Sequence, residues 1–405
     1  MEHLWKEVPE AWEVIETVVQ PLGAEEVALE QAASRVLAEV VRVDRDSPAF
    51  DRAAMDGFAV RAAEVASARR EAPVALQLAG ESTPGSPYEG EAPAASALRI
   101  MTGAAVPPGW DSVVPVEETS GFEAQPVLVH TATLPGQNVT PRAGERRAGE
   151  DLLPPGRRLT AADIGALAMV GATRVRVGRR GRVAVLATGD EIVPHDTVPG
   201  PAQIRNSNSP MLAALAAPRA RQVHLLGGAP DDPAALARAI RRGLEFDLLV
   251  LSGGMSMGAY DLVGTVLEAA GARFRFRRVA LQPGKPVAFA THARGAVLAL
   301  PGNPVSAFTT FRLFGRVLLA CLEGDAEPRP RFVPASARFS WQRSNPRWLL
   351  LPGRRVEGGA GVERVPYAGS GDLMAYARAD CQIVLPGDVQ RVAPGEAVTV
   401  WPFDS

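Results

Sequence analysis

A chain of 405 residues is too long for one hydrophobic core and is expected to divide into two to four domains. With 46% hydrophobic and 22% charged residues it has a globular composition, and a formal net charge of −2 gives it no general basic face for nucleic acid. Its two cysteines, Cys321 and Cys381, lie far apart and argue against a disulfide framework or a cysteine-rich metal site, so a reducing, cytoplasmic setting is expected. The start, "MEHLWKEVPEAWEVIE", is acidic and amphipathic and lacks the basic-then-apolar layout of a signal peptide. No run of about 18 uninterrupted apolar residues offers a membrane span.

In chain order, "PEAWEVIETVVQPLG" and "ALEQAASRVLAEVV" space apolar residues three and four apart and predict helices. "RDSPAFDRAAMDGFAVRAAEV" breaks this rhythm at Pro48 and Gly57. From Ala72 to about Leu134 come short alternating runs, among them "PVALQLAG", "ALRIMTGAAVP" and "DSVVPVEET", which predict a β-rich domain. "GQNVTPRAGERRAGEDLLPPGRRL" is an irregular crossing back, and "TAADIGALAMVGA" predicts a helix ending at Gly171.

From Arg182 strands and helices alternate: "RVAVLATGDEIV", "SPMLAALAA", "RQVHLLGGAPDD", "PAALARAIRRGL", "FDLLVLSGG", "DLVGTVLEAAG", and then "AVLALPGNPVSAFTTFRLFGRVLLACLEG". That order predicts βαβ units and a mostly parallel sheet over 181–325. Short alternating runs return from "RFVPASARFSW" to "AVTVWPF", giving a final β domain over 330–405. The fold class is therefore multidomain α/β plus β, with segments 1–41 and 145–180 flanking a β-rich domain at 42–144.

In an open parallel sheet the ligand site lies beyond the carboxyl ends of the strands. Four loops leaving strands here are rich in small or acidic residues. "ATGDE" carries Asp190 and Glu191, and "GGAPDD" carries Asp231 and Asp232. "SGGMSMGAYD" offers Ser252, Gly253, Gly254, Ser256 and Asp261, and "LPGNPVSA" offers Pro301, Gly302, Asn303 and Pro304. Glycines let backbone N–H groups approach an anion, and acids suit a hard cation such as Mg²⁺, which takes oxygen ligands alongside phosphate and water.

Each loop has a duller explanation. Asp231 or Asp232 is a ready helix cap before "PAALARAI", and Asn303-Pro304 is a cap and first-turn pair. "QPGKPVAFA" sets Lys285 in a Pro-flanked turn near Arg275, Arg277 and Arg278, as an oxyanion-binding point charge or a solvated lysine. Upstream, Asp56-Gly57 and Thr102-Gly103 are weak signals taken singly. The five histidines form no metal-type pairing, and neither a dinucleotide fingerprint nor a Walker loop is present.

The strings "SPAFDRAAMDGFAV", "RIMTGAAVPPG", "VLATGDEIV", "QIRNSNSPML", "SGGMSMGAYD", "QPGKPVAFA" and "LPGNPVSAF" run in the order seen in the MoeA family, the molybdopterin molybdenumtransferases. The C-terminal domain of gephyrin is similar to that family, and the resemblance covers nearly the whole chain. It implies an elongated four-domain subunit, with 1–41 and 145–180 as linker and dimerisation domain. It also implies a homodimer whose active site lies between one subunit's catalytic domain, 181–325, and the other's β-rich domain. The implied reaction is Mg²⁺-dependent insertion of molybdate into adenylylated molybdopterin, releasing AMP and molybdenum cofactor. Asp56, Thr102, Glu191, Asp231 and Asp261 match the family's functional residues, and Asp190, Glu191 and Asp261 are the expected metal set. Ser252, Gly253, Gly254, Ser256, Arg278, Lys285, Pro301, Gly302, Asn303, Pro304 and Ser370, the last from "GSGD", are the expected substrate contacts. Other cofactor-biosynthesis proteins are expected to dock.

Two departures stand out. Gln282 replaces a lysine common before PGKP, which weakens anion binding there, whereas Arg278 keeps the charge. In "NVTPRAGERRAGEDLLPPG" an arginine, Arg146, takes the place of a family aspartate, and Glu145 or Asp151 is expected to supply the carboxylate. Two other readings remain: a gephyrin-type scaffold without catalysis, and an adenylyltransferase-like nucleotide enzyme.

Overall fold

The computed structural model describes residues 5–254, 262–356 and 360–403, in two units. One comprises 1–39, 155–159 and 174–405, and the other 40–154 and 160–173.

The larger unit is organised by a six-stranded sheet: β1 Arg182–Thr188, β2 Gln222–Ala229, β3 Leu248–Ser252, β4 Arg273–Phe276, β5 Ala288–His292 and β6 Gly295–Leu300. Its order is β2-β1-β3-β6-β5-β4. Pairing is parallel from β2 to β6 and antiparallel at the β5 and β4 edge. Both faces are covered, which is why these strands read as continuous apolar runs. Val183, Val185, Leu248, Val250 and Leu298 pack on one face with Leu212 and Ala216 of α1 (Asn208–Ala216). The intervening Ala184, Leu186, Leu249, Leu251 and Val297 pack on the other with Leu236 and Ile240 of α2 (Pro233–Gly243) and Val263 and Leu267 of α3 (Leu262–Ala269).

After β6 the chain enters a long buried helix: α4 (Pro304–Thr310), a π turn (Phe311–Gly315) and α5 (Arg316–Glu323), ended by Gly324 in the left-handed region at φ 83°. This is the one helix among the described residues long and apolar enough to cross a membrane, and 89% of its most apolar window is buried inside the protein. The amino-terminal helix Val8–Val18 packs on it, with the Trp12 indole N–H donating to the Leu313 carbonyl at 2.9 Å.

Beyond the helix, strands Val333–Ala337, Trp348–Arg355, Gly361–Arg364, Cys381–Leu385 and Ala397–Pro402 close on themselves, because Trp348–Arg355 pairs with both Gly361–Arg364 and Cys381–Leu385. Closure removes open edges. Arg312 of the π turn, 1% exposed, reaches this barrel: it donates to Gln382 Oε1 at 2.8 Å and to the Pro402 carbonyl at 2.5 Å, and stacks 3.8 Å over Trp401.

The helix expected over "ALEQAASRVLAEVV" does not form. Ala24–Ala28 is a strand, paired antiparallel with Arg174–Gly178, followed by a short 3₁₀ turn at Leu29–Gln31. Inside the expected helix, 28–41, Val36 and Leu37 bridge instead to Arg158 and Val177, long-range partners that override the local helical spacing.

The smaller unit is built on a five-stranded sheet in the spatial order Ser112–Pro115, Gly57–Val60, Ser96–Ile100, Val74–Ser82, Val127–Val129. Phe58, Val60, Leu76, Ala97 and Val114 fill its core. The helix Ala161–Met169 belongs to the same unit and starts on a capping box between Thr160 and Asp163.

In the larger unit the Glu323 carboxylate, fully buried, accepts from Arg158 at 2.9 Å, Arg180 at 3.1 Å and Arg35 at 3.4 Å. Removing the anion strands these arginines in a low-dielectric setting. Glu323→Gln is therefore expected to destabilise the unit by about 3 kcal/mol, read as a lower denaturant midpoint at unchanged m. An unchanged midpoint would contradict the assignment.

Candidate active site

The order β2-β1-β3 makes β1 the point where successive connections diverge, so a crevice opens beyond the ends of β1 and β3. β3 runs into Gly253 at φ 96° and Gly254 at φ 68°, left-handed conformations that exclude most side chains. A Cβ on Gly253 would lie 2.6 Å from the Thr188 carbonyl oxygen, so only glycine fits. The Gly253 N–H donates to the Leu300 carbonyl at 3.2 Å, and the Cβ position of Gly302 lies 3.6 Å from the Gly253 Cα. The SGG and PGNP loops thus meet backbone to backbone. Ser252, Gly253, Pro301, Gly302, Asn303 and Pro304 form one structural group.

Ser370 joins it from the barrel domain. The Asn303 amide donates to Ser370 Oγ at 2.8 Å, and the Ser370 carbonyl accepts from the Val305 N–H at 3.0 Å. Asn303 occupies the cap position of α4, yet its side chain does not cap the helix. The PGKP turn lies against the same helix: the Cβ position of Gly284 falls 3.7 Å from the Ser306 carbonyl. Lys285 stands 5.3 Å over the Trp5 ring, and Trp5 pairs with Arg278. Gln282, the uncharged replacement, accepts from Asn345 at 3.2 Å.

Three acids gather beyond β1 and β2. The Asp231 N–H donates to Asp190 Oδ1 at 3.0 Å, and the Glu191 carboxylate folds against Gly189. Burial, then the charges of Asp190 and Glu191, push the Asp231 carboxyl above its ordinary range. Asp232 is the capping residue, its carboxylate accepting from the Ala235 N–H at 2.7 Å. So the two adjacent aspartates divide the roles: Asp232 starts the helix and Asp231 faces like charges. A cavity of about 430 Å³ adjoins them, lined in part by Asp190, Ile192, Pro194, Asn206 and Gly228.

Among the described residues no three acidic, histidine or cysteine side chains converge closely enough to hold a metal unaided. Mg²⁺ commonly binds through one or two carboxylates with substrate phosphate and water completing its shell. Asp190, Glu191 and Asp231, with no described arginine or lysine salt-bridged to them, fit that partial set. Asp261 and Ser256, also expected here, lie outside the described residues.

In the smaller unit Asp56 Oδ1 accepts from both the N–H and the hydroxyl of Thr102, each at 2.6 Å. The hydroxyl bond, then the backbone bond, hold this carboxyl below its ordinary range, so it stays ionised. Glu145 Oε2 accepts from Ser47 at 2.8 Å, and Oε1 pairs with Arg52 at 2.7 Å. Asp151 pairs instead with Arg42 at 2.9 Å. Both candidate replacements for the family aspartate therefore carry an arginine partner.

Sequence reasoning missed Asn208 and Thr188. The Asn208 amide donates to Ser252 Oγ and to the Gly302 carbonyl, each at 2.7 Å, and so ties the two glycine loops together. In "QIRNSNSPML" Asn206 bonds with Ser209 just ahead of α1, and Asn208, its first residue, turns to the loops.

Three family models match the chain in succession: the MoeA N-terminal region (domain I and II) over residues 6–171, a probable molybdopterin binding domain over 184–320, and the MoeA C-terminal region (domain IV) over 334–403. The molybdopterin molybdenumtransferase of Haemophilus influenzae is 33% identical over 396 residues, covering 96% of each chain. The chain belongs to the MoeA family. That of a Nostoc species is 35% identical over 385 residues, covering 92% of this chain and 87% of its own. Two structures of a molybdopterin biosynthesis MoeA protein from Pyrococcus horikoshii superpose with TM-scores of 0.77 and 0.81 at 29% and 26% identity. Each covers 98% of this chain and 99% or 100% of its own. This MoeA-family chain therefore has the family's multidomain α/β plus β fold.

A carboxyl whose pKa is raised in the folded state costs stability above that pKa, and the cost disappears as pH falls through it. Asp231→Asn is therefore expected to raise Tm at neutral pH without metal, with the gain fading toward the ordinary carboxylate range. Mg²⁺ should stabilise the wild type more than the variant. Calorimetry across pH with and without Mg²⁺ checks this; equal Mg²⁺ stabilisation of both proteins would remove Asp231 from the cation site.

Proposed function

We propose that this chain is a molybdopterin molybdenumtransferase, inserting molybdate into adenylylated molybdopterin in a Mg²⁺-dependent reaction that releases AMP and the molybdenum cofactor. The observation that carries the reading is the meeting of two glycine loops beside an acid group with no cationic side chain, at the crevice of a parallel sheet. Backbone bare of side chains at Gly254 and Gly302 suits the phosphates of the adenylylated substrate, and the acids suit a cation carried with them.

In this account Gly254 and Gly302 hold the phosphate link, the Gly253 N–H being taken by the Leu300 carbonyl, while Asn303 and Ser370 border it. Asp190, Glu191, Asp231 and Asp261 would hold Mg²⁺, which would supply positive charge beside the AMP phosphate. Lys285 and Arg278 draw the anionic substrates as point and planar charges. Asp56, kept ionised by Thr102, serves from the partner subunit of a homodimer. The setting is the cytoplasm, with other cofactor-biosynthesis proteins supplying substrate and receiving product. A gephyrin-type scaffold has no use for the acid group, and a stand-alone adenylyltransferase has no use for the N- and C-terminal domains.

AMP release from adenylylated molybdopterin, measured with and without molybdate, tests the reading. Release is expected to require molybdate and Mg²⁺, to vanish in Asp261→Ala and in Asp56→Ala, and to return in a verified heterodimer of those two variants. Molybdate-independent release, or none at all, would overturn the proposed reaction; a silent heterodimer would overturn the shared site.

A further inference from the structure

Two polar atoms in the crevice are buried and have no partner among the described residues: Thr188 Oγ1 and Asn208 Oδ1. Thr188 is 3% exposed and stands at the end of β1. Its hydroxyl lies 3.1 Å from the Cβ position of Gly253 and 2.6 Å from that of Gly254, directly beneath the glycine pair. Asn208 has spent both amide hydrogens on Ser252 and Gly302, which fixes the orientation of its carboxamide and leaves the carbonyl oxygen over. Buried polar groups are almost always satisfied, and an orphan carries the full cost of its lost hydration. Both orphans adjoin the meeting point of the two glycine loops, where a ligand group would complete the hydrogen bonding.

We propose that Thr188 and Asn208 form a neutral donor-and-acceptor pair that binds a polar organic group of the substrate, one carrying an N–H or O–H beside an oxygen or nitrogen acceptor. A carboxamide oxygen repels oxyanions, so the pair reads neither molybdate nor phosphate. The chemistry fits a heteroaromatic base edge or a sugar hydroxyl. The inference rests on the reaction proposed above, in which the substrate brings both a pterin and an adenosine.

Thr188→Val is the decisive variant, because removing an unpartnered hydroxyl leaves the free protein no less stable. It is expected to keep the wild-type Tm and kcat and the KM for molybdate, while raising the KM for adenylylated molybdopterin ~10-fold, the size of one lost buried hydrogen bond. Asn208→Ala should raise the same KM and also speed amide hydrogen exchange at Gly253 and Gly302, since it cuts the tie between the loops. Calorimetric binding of AMP and of molybdopterin to the wild type and to Thr188→Val identifies the source: the weakened ligand is the one the pair reads. A Thr188→Val enzyme with unchanged affinity for both ligands overturns the proposal, even where the wild type turns over normally. A wild type that binds either ligand but releases no AMP refutes only the reaction, and the binding comparison still decides the pair. A wild type that binds neither refutes both.

Discussion

The backbone approach between the SGG and PGNP loops is the constraint on which the site depends. The Cβ position of Gly302 lies 3.6 Å from the Gly253 Cα, and the Gly253 N–H closes onto the Leu300 carbonyl. A side chain at Gly253 would strike the Thr188 carbonyl, so the approach requires glycine and fixes where three strand ends meet. The fully buried strands behind the loops hold the junction rigid, since β1, β3 and β6 pack on both faces. Rigid strands and bare backbone together fix the geometry that the proposed reaction uses for the substrate's anionic part.

The same junction ties distant parts of the larger unit. The PGNP loop starts the long buried helix, the Asn303 amide holds Ser370, and Arg312 further along binds Gln382 and Pro402 of the barrel. Arg312 sits in the π turn of that helix, Phe311–Gly315. Charge is distributed with equal economy. Arginines neutralise the buried Glu323 and the Glu145 and Asp151 carboxylates, whereas Asp190, Glu191 and Asp231 are left to repel one another. That contrast is why the proposed reaction assigns the cation to the second group.

Much of this was legible in the sequence because glycines and acids cluster where apolar runs stop. The alternation from Arg182 onward gave the sheet, and "SGG", "PGNP" and "ATGDE" marked its ends. What escaped depends on long-range geometry. The segment 28–41 looks helical until Val36 and Leu37 bridge to Arg158 and Val177, and the barrel closes only through the double pairing of Trp348–Arg355. Asp231 and Asp232 are indistinguishable as neighbours, and only the hydrogen bond from Ala235 separates cap from site. Thr188 and Asn208 read as an ordinary strand end and helix start, because an unsatisfied atom has no sequence signature.

The central claim is that the anionic part of the substrate lies over the glycine junction with the acids beside it. A crystal structure of the protein soaked with AMP and Mg²⁺ tests it most directly. The account predicts the phosphate against the backbone at Gly254 or Gly302, with the metal reached by Asp190, Glu191 or Asp231. Phosphate bound away from both loops, with the acids free of metal, would contradict it.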